Sequence, residues 1–136
     1  VVPVADTTAP TLASSSPIDN ATAVAVGSNI ELTFSETVLA GTGNIIVKKT
    51  SDNTTIKTID VTGSQVTISG AVVTINPTVD FTAGIEYYVE MASGVIKDAA
   101  NNLFTGITGQ NLSFTTAAVV PVADTTAPTL ASSSPI

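Results

Sequence analysis

Apolar and polar residues alternate along much of this chain with a period of two. From Asn29 to Phe34, Ile30, Leu32 and Phe34 share one face, and Glu31 and Thr33 take the other. From Ile85 to Met91, Ile85, Tyr87, Val89 and Met91 share a face, opposed by Glu86, Tyr88 and Glu90. Val66 and Ile68 flank Thr67, and Leu112 and Phe114 flank Ser113. Successive side chains of a strand point to opposite faces, so this pattern predicts half-buried antiparallel strands. Turn formers interrupt it at Asp19-Asn20, Gly41-Thr42-Gly43, Ser51-Asp52-Asn53, Ser69-Gly70 and Ala83-Gly84. The predicted strands lie near 10–15, 29–34, 44–49, 55–61, 65–69, 72–76, 85–91 and 111–116. Seven to eight short strands at this spacing predict an all-β fold, an antiparallel β-sandwich of immunoglobulin-like topology. The segment 96–103 predicts a helical turn at most. Lys48 and Lys49 are expected to protect an edge strand.

Composition agrees with this pattern. Threonine occurs 23 times and strong helix formers are few. Branched Val, Ile and Thr pack well on a pleated surface and lose freedom in a helix.

A repeat organises the chain. Residues 1–18 read VVPVADTTAPTLASSSPI, and residues 119–136 read the same at all 18 positions. The 136 residues are therefore one unit of 118 plus the first 18 residues of a second copy. The expected organisation is an inter-repeat linker over 1–9, an Ig-like repeat over 10–118, and over 119–136 the linker and first-strand start of the next identical repeat. Residues 1–10, the linker and the residue after it, carry two prolines and no glycine, which makes the segment extended and stiff rather than coil-like. The whole looks like a piece from inside a longer secreted chain that carries several such copies.

Charge and missing residue types narrow the chemistry. Four lysines face eleven acidic residues, for a net charge of −7, and there is no Cys, His, Trp or Arg. Four lysines cannot build a basic patch for nucleic acid. Structural zinc, disulfide frameworks and His-dependent hydrolase triads are excluded by the absent residues. No run of 18 apolar residues suits a membrane span. Paired carboxylates for glycoside hydrolysis would need a cleft that small, aromatic-poor sandwich repeats rarely provide, so no enzyme is expected. No obligate oligomer is expected either, and neighbouring identical repeats are the natural partners.

Several motifs occur in a telling order. Asp6-Thr-Thr-Ala-Pro10 comes first, then Ser16-Pro17 with Asp19-Asn20-Ala21, then Leu32-Thr-Phe-Ser-Glu36. Tyr87-Tyr-Val, Gly94-Val-Ile-Lys-Asp98-Ala-Ala-Asn101-Asn102-Leu103 and Phe114-Thr-Thr116 follow. From about residue 6 to 117 this resembles the bacterial Ig-like domain of S-layer proteins and very large surface adhesins. The family usually has Asp-Ala-Gly-Asn where this chain has Ala100 in place of the glycine. The resemblance implies a tandem extender or spacer repeat, an extracellular location on the bacterial cell surface, and, in some members, calcium in or near the linkers. It also brings Asn101 forward as a ligand.

Immunoglobulin-like topology sorts the acids by loop. Asp6 in the linker, Glu36 in the B–C loop and Asp98 in the F–G loop are expected to converge at the N-terminal pole. Asp19, Asp80 and the second linker's Asp124 could converge at the opposite pole. Crowded carboxylates repel unless a cation neutralises them or one takes a proton. Calcium accepts six to eight oxygens in flexible geometry, whereas magnesium demands a near-octahedral shell. Each acid also has a plainer reading. Asp6 before Thr-Thr suits an Asx turn, Asp98 a cap, and Glu36 a solvated loop. The reading carried forward is a structural spacer repeat of a large adhesin, rigidified by calcium at its junctions. The alternative is a glycan- or surface-binding Ig-like module, for which Tyr88 is the sole outward aromatic in a predicted strand.

Overall fold

A computed structural model describes residues 6–119. Among them every regular element is a strand: β1 (Leu12–Ser16), β2 (Ala21–Val24), β3 (Ile30–Phe34), β4 (Leu39–Ala40), β5 (Asn44–Lys49), β6 (Thr55–Asp60), β7 (Val66–Ser69), β8 (Val72–Ile75), β9 (Glu86–Met91), β10 (Ile96–Lys97) and β11 (Ser113–Thr116). One sheet runs β1-β3-β8-β7 and a second β2-β11-β9-β5-β6, with β4 and β10 as a two-strand ribbon. In immunoglobulin lettering these are A-B-E-D packed against A′-G-F-C-C′. The fold is an all-β sandwich, as the alternation predicts.

All eight predicted strands are present. The added three, β2, β4 and β10, have two to four residues each and are too short to show alternation. No helical turn forms over 96–103. Ile96 and Lys97 pair with Ala40 and Leu39, and Lys97 bridges to Leu103, so the segment is extended at both ends of a turn.

The core follows the alternating faces. Ile30, Leu32 and Phe34 of β3 meet Val73 and Ile75 of β8, and across the sandwich Ile45 and Val47 of β5 with Tyr87, Val89 and Met91 of β9. Phe81, Tyr87 and Phe114 form one aromatic cluster, with Phe81 and Phe114 centroids 5.5 Å apart, edge to face. Phe34 and Phe104 make a second contact at 5.0 Å. Such pairs add to the burial of their large apolar surfaces.

Two expectations are corrected here. Lys48 and Lys49 do not guard an edge, because β5 lies between β6 and β9 inside its sheet. Lys48 instead pairs with Glu90 of the adjacent strand at 3.0 Å. Tyr88 is on the outer face of β9 but is only 3% exposed. The turn after β5 closes over it, and its hydroxyl donates to Asn53 Oδ1 at 2.8 Å.

Strand direction sets the poles. β3 ends at Phe34, where β1 begins at Leu12, so the residues before β1 and the loop after β3 share the N-terminal pole. The loops at 25–29 and 76–85 and the end of β11 meet at the other. There Phe81 N–H donates to the Val26 carbonyl and Gly84 N–H to that of Ala117.

Candidate metal centre at the N-terminal pole

Asp6 lies just ahead of β1, Glu36 two residues beyond β3, and Asp98 directly after β10. The sheet pairing that starts β1 beside Phe34 delivers the first to the second, and the β4–β10 ribbon delivers the third. Backbone bonds fix the approach: Thr11 N–H donates to Ser35 Oγ at 2.9 Å and Ser35 N–H to the Thr11 carbonyl at 2.8 Å. The result is three carboxylates, each offering an oxygen within 4.8 Å of the other two. Oxygens held about 2.4 Å from one calcium ion lie up to about 5 Å apart, so this spacing fits a single ion touching all three.

Asp98 is buried at 3% exposure. Its Oδ1 accepts the N–H of Ala100 at 2.9 Å and of Asn102 at 2.8 Å, and its Oδ2 accepts from Asn102 Nδ2 at 2.9 Å. Burial alone pushes its pKa up. The Asn102 side chain and N–H, with Glu36 and Asp6, outweigh that and hold it at about 2. Glu36 goes the other way. Its carboxyl faces that of Asp98, and this contact, then burial, then the charges of Asp6 and Asp98 raise its pKa above the usual 4.5. Two ionised carboxylates are both acceptors, so they share a proton or a cation, or they repel. Glu36 Oε1 is buried with no hydrogen-bond partner. A buried lone pair left unmet is costly, and a cation would meet it.

No lysine neutralises the group. Lys97 Nζ donates to Asn101 Oδ1 at 3.0 Å, and among the described residues Lys48–Glu90 is the only ion pair. The donors are hard oxygens throughout, which favours calcium over softer ions.

The model of the bacterial Ig-like domain matches residues 6–116. The chain belongs to the bacterial Ig-like domain family. No curated protein matches it. Among solved structures it is similar to the N-terminal part of the bacterial S-layer protein SbsC, at 21% identity and a TM-score of 0.54, covering 79% of this chain and 23% of that one. It is also similar to the S-layer protein rSbsC(31-844), at 22% identity and the same TM-score, covering 82% of this chain and 14% of that one. This chain thus spans less than a quarter of those S-layer chains, and the likeness is one of fold.

This bacterial Ig-like domain departs from its family at Ala100, and the geometry shows why the turn survives. The left-handed position falls on Asn101, at φ 66°, and not on Ala100. Asparagine tolerates that conformation better than most residues. The same turn sends the Asn101 side chain to Lys97, away from the acids. Asn102, not Asn101, faces the acids, as a hydrogen-bond donor: its Nδ2 donates to the Asp6 carbonyl at 2.8 Å and to Asp98 at 2.9 Å, tying the linker to the F–G loop. The sequence offers two adjacent asparagines and only the turn decides between them.

The other acids stand apart. Asp19 is not at the C-terminal pole with Asp80. It sits where the chain crosses from one sheet to the other, and its Oδ1 accepts from the Ser113 N–H at 3.0 Å and hydroxyl at 3.3 Å. Asp80 does lie at that pole, in a hollow shared with Gly27, Asn29 and Asn76. Among the described residues neither belongs to a second acidic trio. Asp124 lies outside the described residues. The plainer readings also hold in part, since Asp6 Oδ1 accepts Thr8 N–H at 2.9 Å and Asp98 does cap its turn.

Proposed function

We propose that this bacterial Ig-like domain is a non-enzymatic extender repeat of a large bacterial surface adhesin, stiffened by calcium at its junction with the preceding repeat. One observation carries the reading. A carboxylate from the linker, Asp6, meets carboxylates from two loops of the domain, Glu36 and Asp98, within 4.8 Å and without a neutralising lysine. An ion held there fastens the linker to the domain, and the domain then follows the linker's direction. The exact 18-residue repeat supplies the tandem array, because Asp124 occupies in the next linker the position Asp6 occupies in this one. Similarity in fold to S-layer proteins agrees with an extracellular setting, where calcium at roughly millimolar concentration suits modules with dissociation constants of about 10⁻⁴–10⁻³ M. Burial of Tyr88 removes the one outward aromatic on which the glycan-binding alternative rested.

The test is small-angle scattering on two tandem units. Calcium should lengthen the maximum dimension and narrow the distance distribution, and chelator should reverse both. An unchanged distribution sinks the stiffening, whatever the affinity.

A further inference from the structure

Segment 6–10 joins the domain by a narrow attachment. Pro10 is buried and Thr11 is bonded to Ser35, but residues 6–8 are exposed. Asp6 Oδ1 accepts the N–H of Thr8, which ties the segment only to itself. Among the described residues, one hydrogen-bond donor from elsewhere in the domain reaches residues 6–9. It is Asn102 Nδ2, which lies 2.8 Å from the Asp6 carbonyl oxygen. The two residues are 96 apart in sequence.

Asn102 is itself held in place. Its N–H donates to Asp98 Oδ1 at 2.8 Å, and its carbonyl accepts the Asp98 N–H at 3.0 Å. Lys97 and Leu103 pair on either side of that turn. The side-chain amide has two N–H groups and both are used, one on the Asp6 carbonyl and one on Asp98 Oδ2 at 2.9 Å. Turning the amide over would set its oxygen against two oxygen acceptors, so its direction is fixed. The same bonds decide what is left of Asp98. A carboxylate has about four lone-pair sites. The N–H groups of Ala100 and Asn102 occupy Oδ1, and Asn102 Nδ2 takes one site on Oδ2. The second site on Oδ2 remains for an ion.

We propose that Asn102 is the positioning residue of this junction. Through one amide it sets the Asp6 backbone, and with it the Asp6 carboxylate, beside Asp98 before any ion is bound. The effect on calcium rests on the ion site proposed above, whereas the placement of the linker does not. An exposed neutral hydrogen bond favours the closed arrangement by a factor of only about 2–10. The tie therefore biases the linker toward its place, and an ion holds it there. Affinity for calcium then depends on the fraction of chains already closed, which Asn102 raises.

The test places nitroxide labels on Thr7→Cys and Thr67→Cys in the full 136-residue chain, which has no cysteine of its own. Thr7 is exposed beside Asp6, and Thr67 is exposed on β7. Double electron–electron resonance in chelator should give a dominant narrow distance, and Asn102→Ala should spread it. Asn101→Gly removes the neighbouring side chain, suits the left-handed φ of 66° there, and should leave the distance narrow. A second pair, Thr58→Cys with Thr67→Cys on β6 and β7, reports on the sandwich and should stay narrow in every variant. A Thr7–Thr67 distribution as narrow in Asn102→Ala as in the natural chain overturns the proposal. Broadening of the Thr58–Thr67 pair in Asn102→Ala also overturns it, because Asn102 would then hold the domain and not the linker. Calorimetric calcium titration supplies an independent readout. Asn102→Ala should raise the dissociation constant about 2–10-fold, and should change it little in Asp6→Ala, which has no linker carboxylate to place. The same factor in both backgrounds contradicts placement of Asp6 by Asn102. A natural chain that keeps the narrow Thr7 distance yet binds no calcium would remove the ion site and leave the tie standing.

Discussion

At the C-terminal pole, Tyr87 accepts the Thr82 N–H at 3.0 Å, and Thr116 Oγ1 donates to the Thr82 carbonyl at 2.7 Å while accepting the Ile85 N–H at 3.1 Å. At the N-terminal pole, Asp6, Glu36 and Asp98 crowd together and one buried oxygen has no partner. Both poles close the same sandwich with loops. The first is sealed by the protein's own donors and the Phe81–Tyr87–Phe114 cluster, in the manner of a tyrosine corner. The second is left with acceptors facing acceptors. Under the proposed function, local stability is expected from the first end and the response to solvent ions and protons from the second.

The largest effect expected from this contrast is at the sealed pole. Phe114→Ala removes a fully buried ring and should destabilise the domain by about 3–5 kcal/mol. The loss, read by chemical denaturation, should be the same with calcium and with chelator. A loss that shrinks markedly in calcium would mean the poles are not separable.

Much of this was legible in the sequence. The inward faces of β3, β8 and β9 follow from alternation, and lettering the strands in order was enough to gather Asp6, Glu36 and Asp98 at one pole. What alternation cannot reveal is lateral order within a sheet. Lys48 sits on an interior strand and Tyr88 under a neighbouring turn, and neither is visible from period two, which fixes a face but names no neighbour. The exchange between Asn101 and Asn102 has a different cause. It depends on one left-handed backbone position, which either residue could have adopted. Asp19 was misplaced because a strand that switches sheets, from β1 to β2, has no signature in hydrophobicity. Its carboxylate is spent on Ser113 of β11.

The pH dependence is a smaller effect and separates the poles again. Glu36 has a folded pKa above 4.5, so the folded state holds its proton longer than the unfolded chain. Its contribution is present at low pH and is lost as pH rises through the folded value. Asp98 is opposite: at about 2 against 3.8 unfolded, it contributes above 3.8 and its contribution fades as pH falls toward 2. In chelator the melting temperature should therefore climb as pH falls from neutrality toward 4.5 and drop again below about pH 3.8. In calcium the upper arm should flatten, because the ion replaces the proton. Glu36→Gln should flatten it without calcium. An upper arm that persists in Glu36→Gln would assign it to other groups.

The most direct measurement is the calcium-induced change in melting temperature of the 136-residue chain beside that of Glu36→Gln, a variant that keeps the Asp98 turn intact. With about 10 mM calcium and a dissociation constant of about 0.1–1 mM, the folded state gains about 1.4–2.7 kcal/mol, or about 5–10 °C. Glu36→Gln should melt higher than the natural chain in chelator, since the like-charge contact is gone, and should lose most of the calcium gain. No gain in the natural chain, or an undiminished gain in the variant, would contradict a calcium centre at the N-terminal pole.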